Sequence, residues 1–456
     1  MALSDRLIGP DANKSEASYF WHGMGSPAEG LANPAKEIVR GEGVYIVDSD
    51  GRMLLDATSG GLANVTLGYS ASPIKHAIAA QLDRLPYFSA FRGTTNAPAE
   101  ELSRRLIDDW FEADGMRRVF LSSGGSDAVE TALRLARQFW KIQGAQDRYK
   151  FIALRNGYHG THFGGASLNS KPNIRRQYEP LLGGCFHIPT PCVYRNPLDE
   201  SDPTRLGELC ARLLEEEILF QGPDTVAAFI AEPVTGAGGL VVPPSNFWPL
   251  VRAVCDKYKV LLIADEVITG FGRTGHKSGS RGWGVKPDIM CLAKAITSGY
   301  FPLGATLVNK RIADAFETDG NRFTTIGHGY TYSGHPVGCA AALATLDVAE
   351  NLRVWENAAT CGSRLLAGME RLHQRHALVG DVRGKGLMTC LEIVTDRASK
   401  TPASEALMAR IAAGAAAAGV MVRASGSNIN LTPPLIVEPT QIDTIIEALD
   451  SGLAQC

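Results

Sequence analysis

The sequence predicts an α/β fold built on a mostly parallel sheet. Between about residues 100 and 310, apolar runs of strand length alternate with stretches of helical period. The strand-like runs are 119–121, 151–154, 227–231, 260–264 and 289–293, and the helix-like stretches include 128–140 and 247–258. Continuous apolar runs are typical of strands that are buried on both faces. The alternation therefore favours a doubly wound, largely parallel sheet covered by helices.

The two ends of the chain predict a second, smaller α+β domain. Residues 43–48 and 52–56 are strand-like and flank an Asp-Gly turn, which predicts a hairpin. Later helix-like stretches are 337–350 and 358–373, and later strand-like stretches are 386–393 and 420–423. We expect a small domain formed by residues 1–70 and 336–456, and a large domain formed by residues 71–335.

Composition limits the classes of partner. The 456 residues carry a formal net charge of −3, with 45% hydrophobic and 20% charged residues, which is ordinary for a globular protein. Interspersed charges argue against binding to nucleic acid or to an anionic membrane. The nine cysteines lack a Cys-x-x-Cys pair, which favours free thiols in a reducing cytosol and predicts no metal site. No secretory signal or membrane-spanning run is recognisable, so we expect a cytoplasmic protein.

Two charged residues stand directly after apolar runs. Asp265 follows 260–264, and ligands of open α/β sheets bind at the carboxyl ends of strands. A lone aspartate there is also typical of a helix N-cap or a turn. Lys294 follows 289–293 and has no charged residue within five positions. Its apolar surroundings predict a desolvated amine with a lowered pKa, as a Schiff-base nucleophile requires, although a buried lysine paired with an acid would have the same pattern.

A third segment predicts a phosphate site. Residues 122–126, Ser-Ser-Gly-Gly-Ser, lie between the strand-like run 119–121 and a helix, and helix N-termini bind anions. Many turns of this kind are rich in glycine and serine without binding phosphate. Tyr158 follows another strand and could stack on a ring or simply pack. An imine-forming lysine, a carboxylate for a pyridine nitrogen and a phosphate site are together what pyridoxal 5′-phosphate (PLP) requires.

Several longer motifs accompany these residues. They are 41–48 (Gly-Glu-Gly-Val-Tyr-Ile-Val-Asp), 156–160 (Asn-Gly-Tyr-His-Gly), 232–239 (Glu-Pro-Val-Thr-Gly-Ala-Gly-Gly), 265–275 (Asp-Glu-Val-Ile-Thr-Gly-Phe-Gly-Arg-Thr-Gly), 298–304 (Ser-Gly-Tyr-Phe-Pro-Leu-Gly) and 331–336 (Thr-Tyr-Ser-Gly-His-Pro). Over nearly its whole length the chain resembles the class III aminotransferases of PLP fold type I, and among them the omega-aminotransferases that use pyruvate. The resemblance implies a large domain with a sheet of the seven-stranded type.

The resemblance also implies roles for individual residues. Lys294 would be the Schiff-base lysine, and Asp265 would pair with the pyridine nitrogen. Tyr158 and Val267 would contact opposite faces of the ring. His159 and Glu232 would belong to the same cofactor-binding set.

The phosphate and the substrate would be held by further residues. Gly125 and Ser126 would bind the phosphate together with Thr331 of a second subunit, so the resemblance implies a homodimer, with a tetramer as a further possibility. Arg423 corresponds to a mobile arginine that pairs with a substrate carboxylate. The other interpretation of Arg423 is a solvated arginine at a strand end.

Departures from the family pattern bear on the substrate. Relatives that act on ornithine or 4-aminobutyrate carry a glutamate where this chain has Ala237, as the pyruvate-using enzymes do. The phosphate loop reads Ser-Gly-Gly-Ser in place of Asn-Ser-Gly-Ser, which removes one hydroxyl. Ala63 stands where a pocket tryptophan is often found, which predicts room for bulkier amines unless Phe88 or Arg92 of the facing subunit fills the space.

The predicted reaction is a ping-pong transfer of an amino group from an amine or omega-amino acid to pyruvate or another keto acid. An aminomutase or a PLP decarboxylase of the same fold would share Lys294 and Asp265, and net formation of alanine would distinguish them. A non-catalytic PLP-binding regulator is a third hypothesis. Such regulators usually carry an added DNA-binding module, which we do not expect here.

Overall fold

The computed structural model describes residues 19–33 and 35–456. The strands are β1 (Ile38–Glu42), β2 (Tyr45–Asp48), β3 (Met53–Asp56), β4 (Met116–Ser122), β5 (Lys150–Leu154), β6 (Cys185–Ile188), β7 (Val226–Ala231), β8 (Leu261–Asp265), β9 (Ile289–Leu292), β10 (Gly304–Asn309), β11 (Val379–Gly384), β12 (Thr389–Asp396), β13 (Thr401–Pro402), β14 (Val420–Met421), β15 (Arg423–Ser425) and β16 (Asn428–Leu431). The helices are α1 (Pro27–Ala32), α2 (Ser72–Arg84), α3 (Ala97–Arg104), α4 (Gly125–Ile142), α5 (Phe163–Leu168), α6 (Pro172–Arg175), α7 (Pro203–Gln221), α8 (Phe247–Tyr258), α9 (Lys310–Phe316), α10 (Pro336–Asn351), α11 (Val354–Arg375), α12 (Glu405–Ala417) and α13 (Pro439–Ala454). Within the described residues, no helix combines the length and the apolar character that crossing a membrane requires.

A seven-stranded sheet forms the centre of the molecule, in the order β4-β10-β9-β8-β7-β5-β6. β10 is antiparallel to both of its neighbours, and the remaining paired strands are parallel. This confirms the predicted mostly parallel sheet. The reversal of β10 has a simple cause: residues 293–303 join it to β9, and a parallel crossover needs roughly a dozen residues or more.

Helices cover both faces of this sheet. On one face, α4 and α9 pack on the strands, and the buried indole of Trp140 donates a hydrogen bond to the Ala227 carbonyl oxygen at 2.9 Å. On the other face, α7 and α8 pack on β5, β7 and β8. β7 and β8 are buried along their whole length, as their continuous apolar sequences predict.

The sheet direction determines where the polar residues meet. β5, β7, β8 and β9 run parallel, so their carboxyl ends lie at one edge. β4 points the same way, because it and β9 are both antiparallel to β10. Tyr158, Glu232, Asp265 and Lys294 each end one of these strands or follow it closely, and the 122–126 loop follows β4. We call this set of positions the carboxyl edge.

The two ends of the chain meet in a separate sheet. β2 and β3 form the predicted hairpin, with Tyr45 opposite Leu55, and β14 near the C-terminus pairs in parallel with β3. The largest buried cluster combines apolar side chains from both ends with others from the middle of the chain, such as Leu106 and Met290. The domain boundaries at residues 70 and 335 stay predictions.

Two strand predictions in the C-terminal part were wrong in detail. The run 386–393 is not a strand from its start, because 386–388 form the turn between β11 and β12, where Gly386 has a φ of 59°. The run 420–423 is not one strand either. β14 belongs to the sheet of β3, whereas β15 pairs with β16 in another sheet, so the chain changes sheets at Val422. Arg423 therefore begins a new strand.

Candidate active site

A buried carboxylate and a buried imidazole meet at the carboxyl edge. Asp265 ends β8, and its Oδ2 lies 2.8 Å from Nδ1 of His159. Its Oδ1 accepts a hydrogen bond from the Val267 backbone N–H at 3.2 Å. The backbone N–H of His159 donates to Oδ1 of Asn169 at 2.5 Å. Asp265 is therefore held in one orientation by a residue that comes from the loop after β5, two strands away.

Lys294 lies one strand further along the same edge. It follows β9, is partly buried, and adopts a left-handed backbone conformation with a φ of 49°. Burial lowers the pKa of its amine to about 8, although the negative charges of Glu232 and Asp265 oppose the shift. The positive charges of Arg423 and Arg273 lower the pKa further. A larger share of the amine is therefore neutral near pH 8 than in an exposed lysine.

Glu232 connects two loops of the carboxyl edge by hydrogen bonds. Its buried side chain accepts hydrogen bonds from the backbone N–H of Tyr158 at 3.1 Å and from that of Gly236 at 2.7 Å. Burial raises the pKa of this carboxyl to about 7, the nearby Asp265 adds to the rise, and His159 opposes it. Both carboxylate oxygens accept hydrogen bonds from backbone N–H groups, so Glu232 orients the loop that carries Tyr158.

The N-terminus of α4 forms a candidate anion site beside these groups. Ser126 stands in the first turn, and its Oγ accepts a hydrogen bond from the Thr161 backbone N–H at 3.1 Å. Gly160, with a φ of 102°, packs so closely that a Cβ there would lie 2.7 Å from Ser126 Oγ. Glycine at position 160 is therefore required for its loop to pack against the first turn of α4. The free N–H groups of the first turn and the helix dipole attract an anion.

The start of α4 packs closely against Val267 and the end of β9. A Cβ at Gly125 would lie 3.0 Å from Cγ1 of Val267 and 3.6 Å from Cβ of Ala293, so backbone, valine and the end of β9 converge. Tyr158 lies near both carboxylates: burial raises the pKa of its phenol, and Asp265 and Glu232 raise it further. Residues that follow β5, β7 and β9 thus lie close to Asp265.

Arg423 approaches the same region from the small sheets. Its side chain is exposed, and its Nη1 donates a hydrogen bond to the Gly61 carbonyl oxygen at 2.8 Å. The segment that carries Gly61 turns through positive φ angles, 80° at Gly61 and 57° at Ala63. Ala63 is only 6% exposed in the single chain. Its predicted contact with substrate therefore stays a prediction.

Other predicted residues are not brought to the edge within one chain. Thr331, Phe88 and Arg92 are all exposed, and Phe88 keeps 55% of its surface accessible. The carbonyl oxygen of Thr331 accepts a hydrogen bond from the Tyr87 hydroxyl at 2.7 Å. Ala237 lies in the loop after Glu232 and is partly buried. The roles given to Thr331, Phe88 and Arg92 require a second subunit and stay predictions.

Two residues that support the site were not predicted from the sequence. Asn169 binds His159 and also donates to the Gly160 carbonyl oxygen at 2.8 Å, but a lone asparagine in a polar stretch gives no signal. Arg273 is fully buried and donates to the Leu387 carbonyl oxygen at 3.0 Å, with burial lowering its pKa to about 9. Its position inside the 265–275 motif was the available signal.

The described residues fit PLP. The edge holds an oriented carboxylate for a ring nitrogen, an amine of lowered pKa for the carbonyl carbon, and a helix N-terminus for a phosphate. Gly125 packs closely against Val267, so the start of α4 lies beside this valine.

Comparison with known proteins agrees with this geometry. The family model described as aminotransferase class-III matches residues 28–453. The putrescine–pyruvate aminotransferase of Pseudomonas aeruginosa is 37% identical over 90% of this chain and 89% of its own length. The taurine–pyruvate aminotransferase of Bilophila wadsworthia is also 37% identical, over 96% of this chain and 95% of its own.

Solved structures give the same result. An amine transaminase from an uncultivated Pseudomonas species in its PLP-bound form is 50% identical, with a TM-score of 0.95 over 97% of this chain and 100% of the other. A thermostable omega transaminase variant engineered for asymmetric synthesis of enantiopure bulky amines is 36% identical, with a TM-score of 0.92 over 96% and 97%. The chain belongs to the class III aminotransferase family and is a PLP-dependent aminotransferase of fold type I.

Proposed function

We propose that this enzyme transfers an amino group from a primary amine or omega-amino acid to pyruvate or another 2-oxo acid, by a ping-pong mechanism. The observation that carries the proposal is the placement of Lys294 and Asp265 at neighbouring parallel strand ends, with Arg423 close enough to lower the pKa of the Lys294 amine. The names of the putrescine–pyruvate and taurine–pyruvate relatives support pyruvate as acceptor.

Lys294 and Asp265 have the central roles. When bound, PLP supplies an electrophilic carbon for the amine and a ring that accepts electrons. Lys294 would hold the cofactor through its Nζ, and the same Nζ, when free, would take the proton from the amino-bearing carbon of the substrate. The pKa of about 8 suits this base near neutral pH. Asp265, which His159 orients, would accept a charged hydrogen bond from the ring nitrogen and keep that nitrogen protonated.

The remaining residues hold the cofactor in place. Backbone N–H groups at Gly125 and Ser126 would bind the phosphate at the start of α4. Tyr158 and Val267 would contact the two faces of the ring. Glu232 acts through Tyr158, whose backbone it fixes.

Arg423 binds the carboxylate of the 2-oxo acid. In the structure its guanidinium donates to a neutral carbonyl, that of Gly61, which it can leave without breaking an ion pair. Position 237 carries alanine, so its side chain offers no carboxylate to compete for the arginine. Both features favour a guanidinium that is available for an acidic substrate.

We infer that the active unit is a homodimer in the cytosol. Tyr87, Phe88 and Phe91 are exposed on one loop, and Tyr332 packs edge-to-face on Tyr87, so an apolar patch adjoins Thr331. Exposed aromatic patches of this kind are typical of subunit interfaces. Thr331 of a second subunit would complete the phosphate site. Light scattering should give at least twice the 48.8 kDa chain mass, and a monomeric active enzyme would contradict this part of the proposal.

The reaction is tested by incubating the purified PLP enzyme with pyruvate and a panel of amines. We expect stoichiometric alanine, with aldehyde, ketone or oxo acid from the donor. An aminomutase or a decarboxylase would release an isomerised amine or carbon dioxide and would form no net alanine. Failure to form alanine with any donor would overturn pyruvate as the acceptor.

A further inference from the structure

His162 and Asp127 form a hydrogen-bonded pair beside the proposed phosphate site. Asp127 stands in the first turn of α4, directly after Ser126, and its Oδ1 lies 2.6 Å from Nε2 of His162. His162 immediately precedes α5. Its side chain keeps 45% of its surface exposed, whereas the side chain of Asp127 keeps 15%. The carboxylate is therefore the more buried member of the pair.

The other oxygen of Asp127 holds the 122–126 loop. Its Oδ2 accepts a hydrogen bond from the Ser123 backbone N–H at 2.9 Å. Gly124, the residue before the helix, has no side chain that could cap the first turn. Backbone N–H groups of a first turn have no acceptor within the helix. Asp127 thus fixes the loop from the helix side and leaves the N–H groups at the very start of α4 to an anion.

A second contact joins the same two segments. The Thr161 backbone N–H donates to Ser126 Oγ at 3.1 Å, and Thr161 Oγ1 lies 3.3 Å from the same oxygen. Two adjacent residues of the loop after β5 thus contact two adjacent residues of α4. The same loop carries Tyr158 and His159, which are bonded to the buried carboxylates of the carboxyl edge. The pair of His162 and Asp127 therefore connects the phosphate-binding turn to this loop.

The negative charge of Asp127 has two opposite effects. A carboxylate in the first turn is stabilised by the helix dipole. The same charge repels a phosphate group that binds at this turn. Among the residues that the structure describes, His162 is the one side chain able to carry a positive charge that pairs with Asp127, whereas Glu130 is paired with Arg134 at 3.2 Å. A protonated His162 therefore neutralises the carboxylate closest in sequence to the phosphate site.

We propose that His162 is a positioning residue for PLP, which neutralises Asp127 and thereby strengthens binding of the phosphate group. This inference rests on the proposed phosphate site at Gly125 and Ser126, and it is independent of which amine and which oxo acid react. Such support matters in this chain, because Gly124 offers the phosphate no hydroxyl.

A purely structural role for His162 predicts different behaviour. If the imidazole only held two segments together, its loss would weaken binding of every ligand of the site. Neutralisation of Asp127 affects the phosphate group alone, and pyridoxal has the ring and the aldehyde of PLP without the phosphate. His162→Gln keeps a hydrogen-bond donor and removes the positive charge. Asp127→Asn keeps an oxygen that can accept the Ser123 N–H and removes the negative charge.

The experiment measures the dissociation constants of PLP and of pyridoxal for the wild type and for variants. The cofactor is first removed from the purified enzyme by dialysis against hydroxylamine. The variants are His162→Gln, His162→Lys, Asp127→Asn and the double variant His162→Gln/Asp127→Asn. His376→Gln is the matched control, because Nε2 of His376 at the end of α11 also lies 2.6 Å from an aspartate oxygen, Oδ1 of Asp450 in α13. Melting temperature and alanine formation are recorded for each protein.

We expect His162→Gln to raise the dissociation constant of PLP about three- to fivefold, as the loss of a partly exposed ion pair predicts, and to leave that of pyridoxal unchanged. The difference from the wild type should shrink at high ionic strength, because salt screens exposed charges. Adding Asp127→Asn should restore PLP binding, since no carboxylate then remains to be neutralised. His162→Lys keeps a cation, so it should match the wild type, as should His376→Gln.

Other results would overturn the inference. Equal weakening of PLP and pyridoxal binding in His162→Gln would make His162 a loop support, and an unchanged constant for PLP would remove it from the site. A double variant that binds PLP no better than His162→Gln would show that Asp127 does not oppose the phosphate. If a glutamine variant does not fold, Asp127→Asn decides, because weaker PLP binding in that variant contradicts repulsion by the carboxylate. A wild-type enzyme that binds PLP as expected but forms no alanine from any donor would overturn the proposed function and leave this inference intact.

Discussion

The carboxyl edge of the large sheet differs in construction from the segment around Arg423, Gly61 and Ala63, which we call the rim. At the edge, Asp265 and Glu232 are buried, and their oxygens are engaged by His159 and by backbone N–H groups. At the rim, Arg423 is exposed and donates a hydrogen bond to the Gly61 carbonyl oxygen. Several hydrogen bonds fix the buried carboxylates of the edge, whereas the exposed Arg423 donates to one neutral backbone oxygen that it can leave.

The largest expected effect is at the edge, in Lys294→Ala. Removing the amine removes both the bond to the cofactor and the base, and general base catalysis alone contributes about 10²–10⁴-fold. Turnover should fall by at least that factor, while PLP still binds at the start of α4. Alanine formation and bound PLP are to be measured separately, with addition of a small amine as a test of rescue. Full activity in this variant would contradict the role of Lys294.

The next effect should come from Asp265→Asn. Breaking a buried charged pair costs roughly 3–5 kcal/mol, and each ~1.4 kcal/mol in a barrier changes the rate about tenfold. The rate of the amine half-reaction should fall by about two to four orders of magnitude, which single-turnover kinetics at saturating PLP would measure. His159→Gln should have a smaller effect, because it disturbs only the orientation of the carboxylate. A loss below about tenfold in Asp265→Asn would place this residue outside the reaction.

At the rim, Arg423→Ala should act on one half-reaction more than on the other. A charged hydrogen bond contributes about 1.5–3 kcal/mol, so the reaction with pyruvate should slow by about ten- to a hundredfold. The reaction with a simple amine should change little, since that donor has no carboxylate. Stopped-flow measurement of both half-reactions decides the point. Equal losses in the two directions would show that Arg423 supports the structure of the rim.

The smallest effect, and the sharpest test of the rim, concerns Ala63→Trp. Ala63 is 6% exposed and has a φ of 57°, so an indole must turn towards the substrate or displace its neighbours. We expect a drop in kcat/KM for an amine with two large substituents and little change for a small donor. Ala63→Val serves as a control of intermediate size. The test compares kcat/KM for the bulky amine with kcat/KM for the small donor. If this ratio is the same in Ala63→Trp as in the wild type, residue 63 does not line the pocket.

Much of the edge could be predicted from local sequence. The apolar runs before Asp265 and Lys294 indicate buried parallel strands, and a charged residue after such a run lies at the ligand-binding edge of the sheet. The hairpin of β2 and β3 and the helix α8 were also predicted, because an Asp-Gly turn and a helical period are local signals. The family resemblance then supplied the roles that spacing alone leaves open.

The sequence by itself determined the fold class, the family and the identity of the two charged residues at the strand ends, since these follow from short-range pattern and motif. Only the tertiary structure decided which residues meet. His159 reaches Asp265 because β5 and β8 lie in the same sheet with only β7 between them. No local segment of the sequence specifies this strand order. Arg423 begins a new strand because the chain changes sheets at Val422. His162 reaches Asp127 across 35 positions of sequence, a contact that depends on the packing of a loop against a helix.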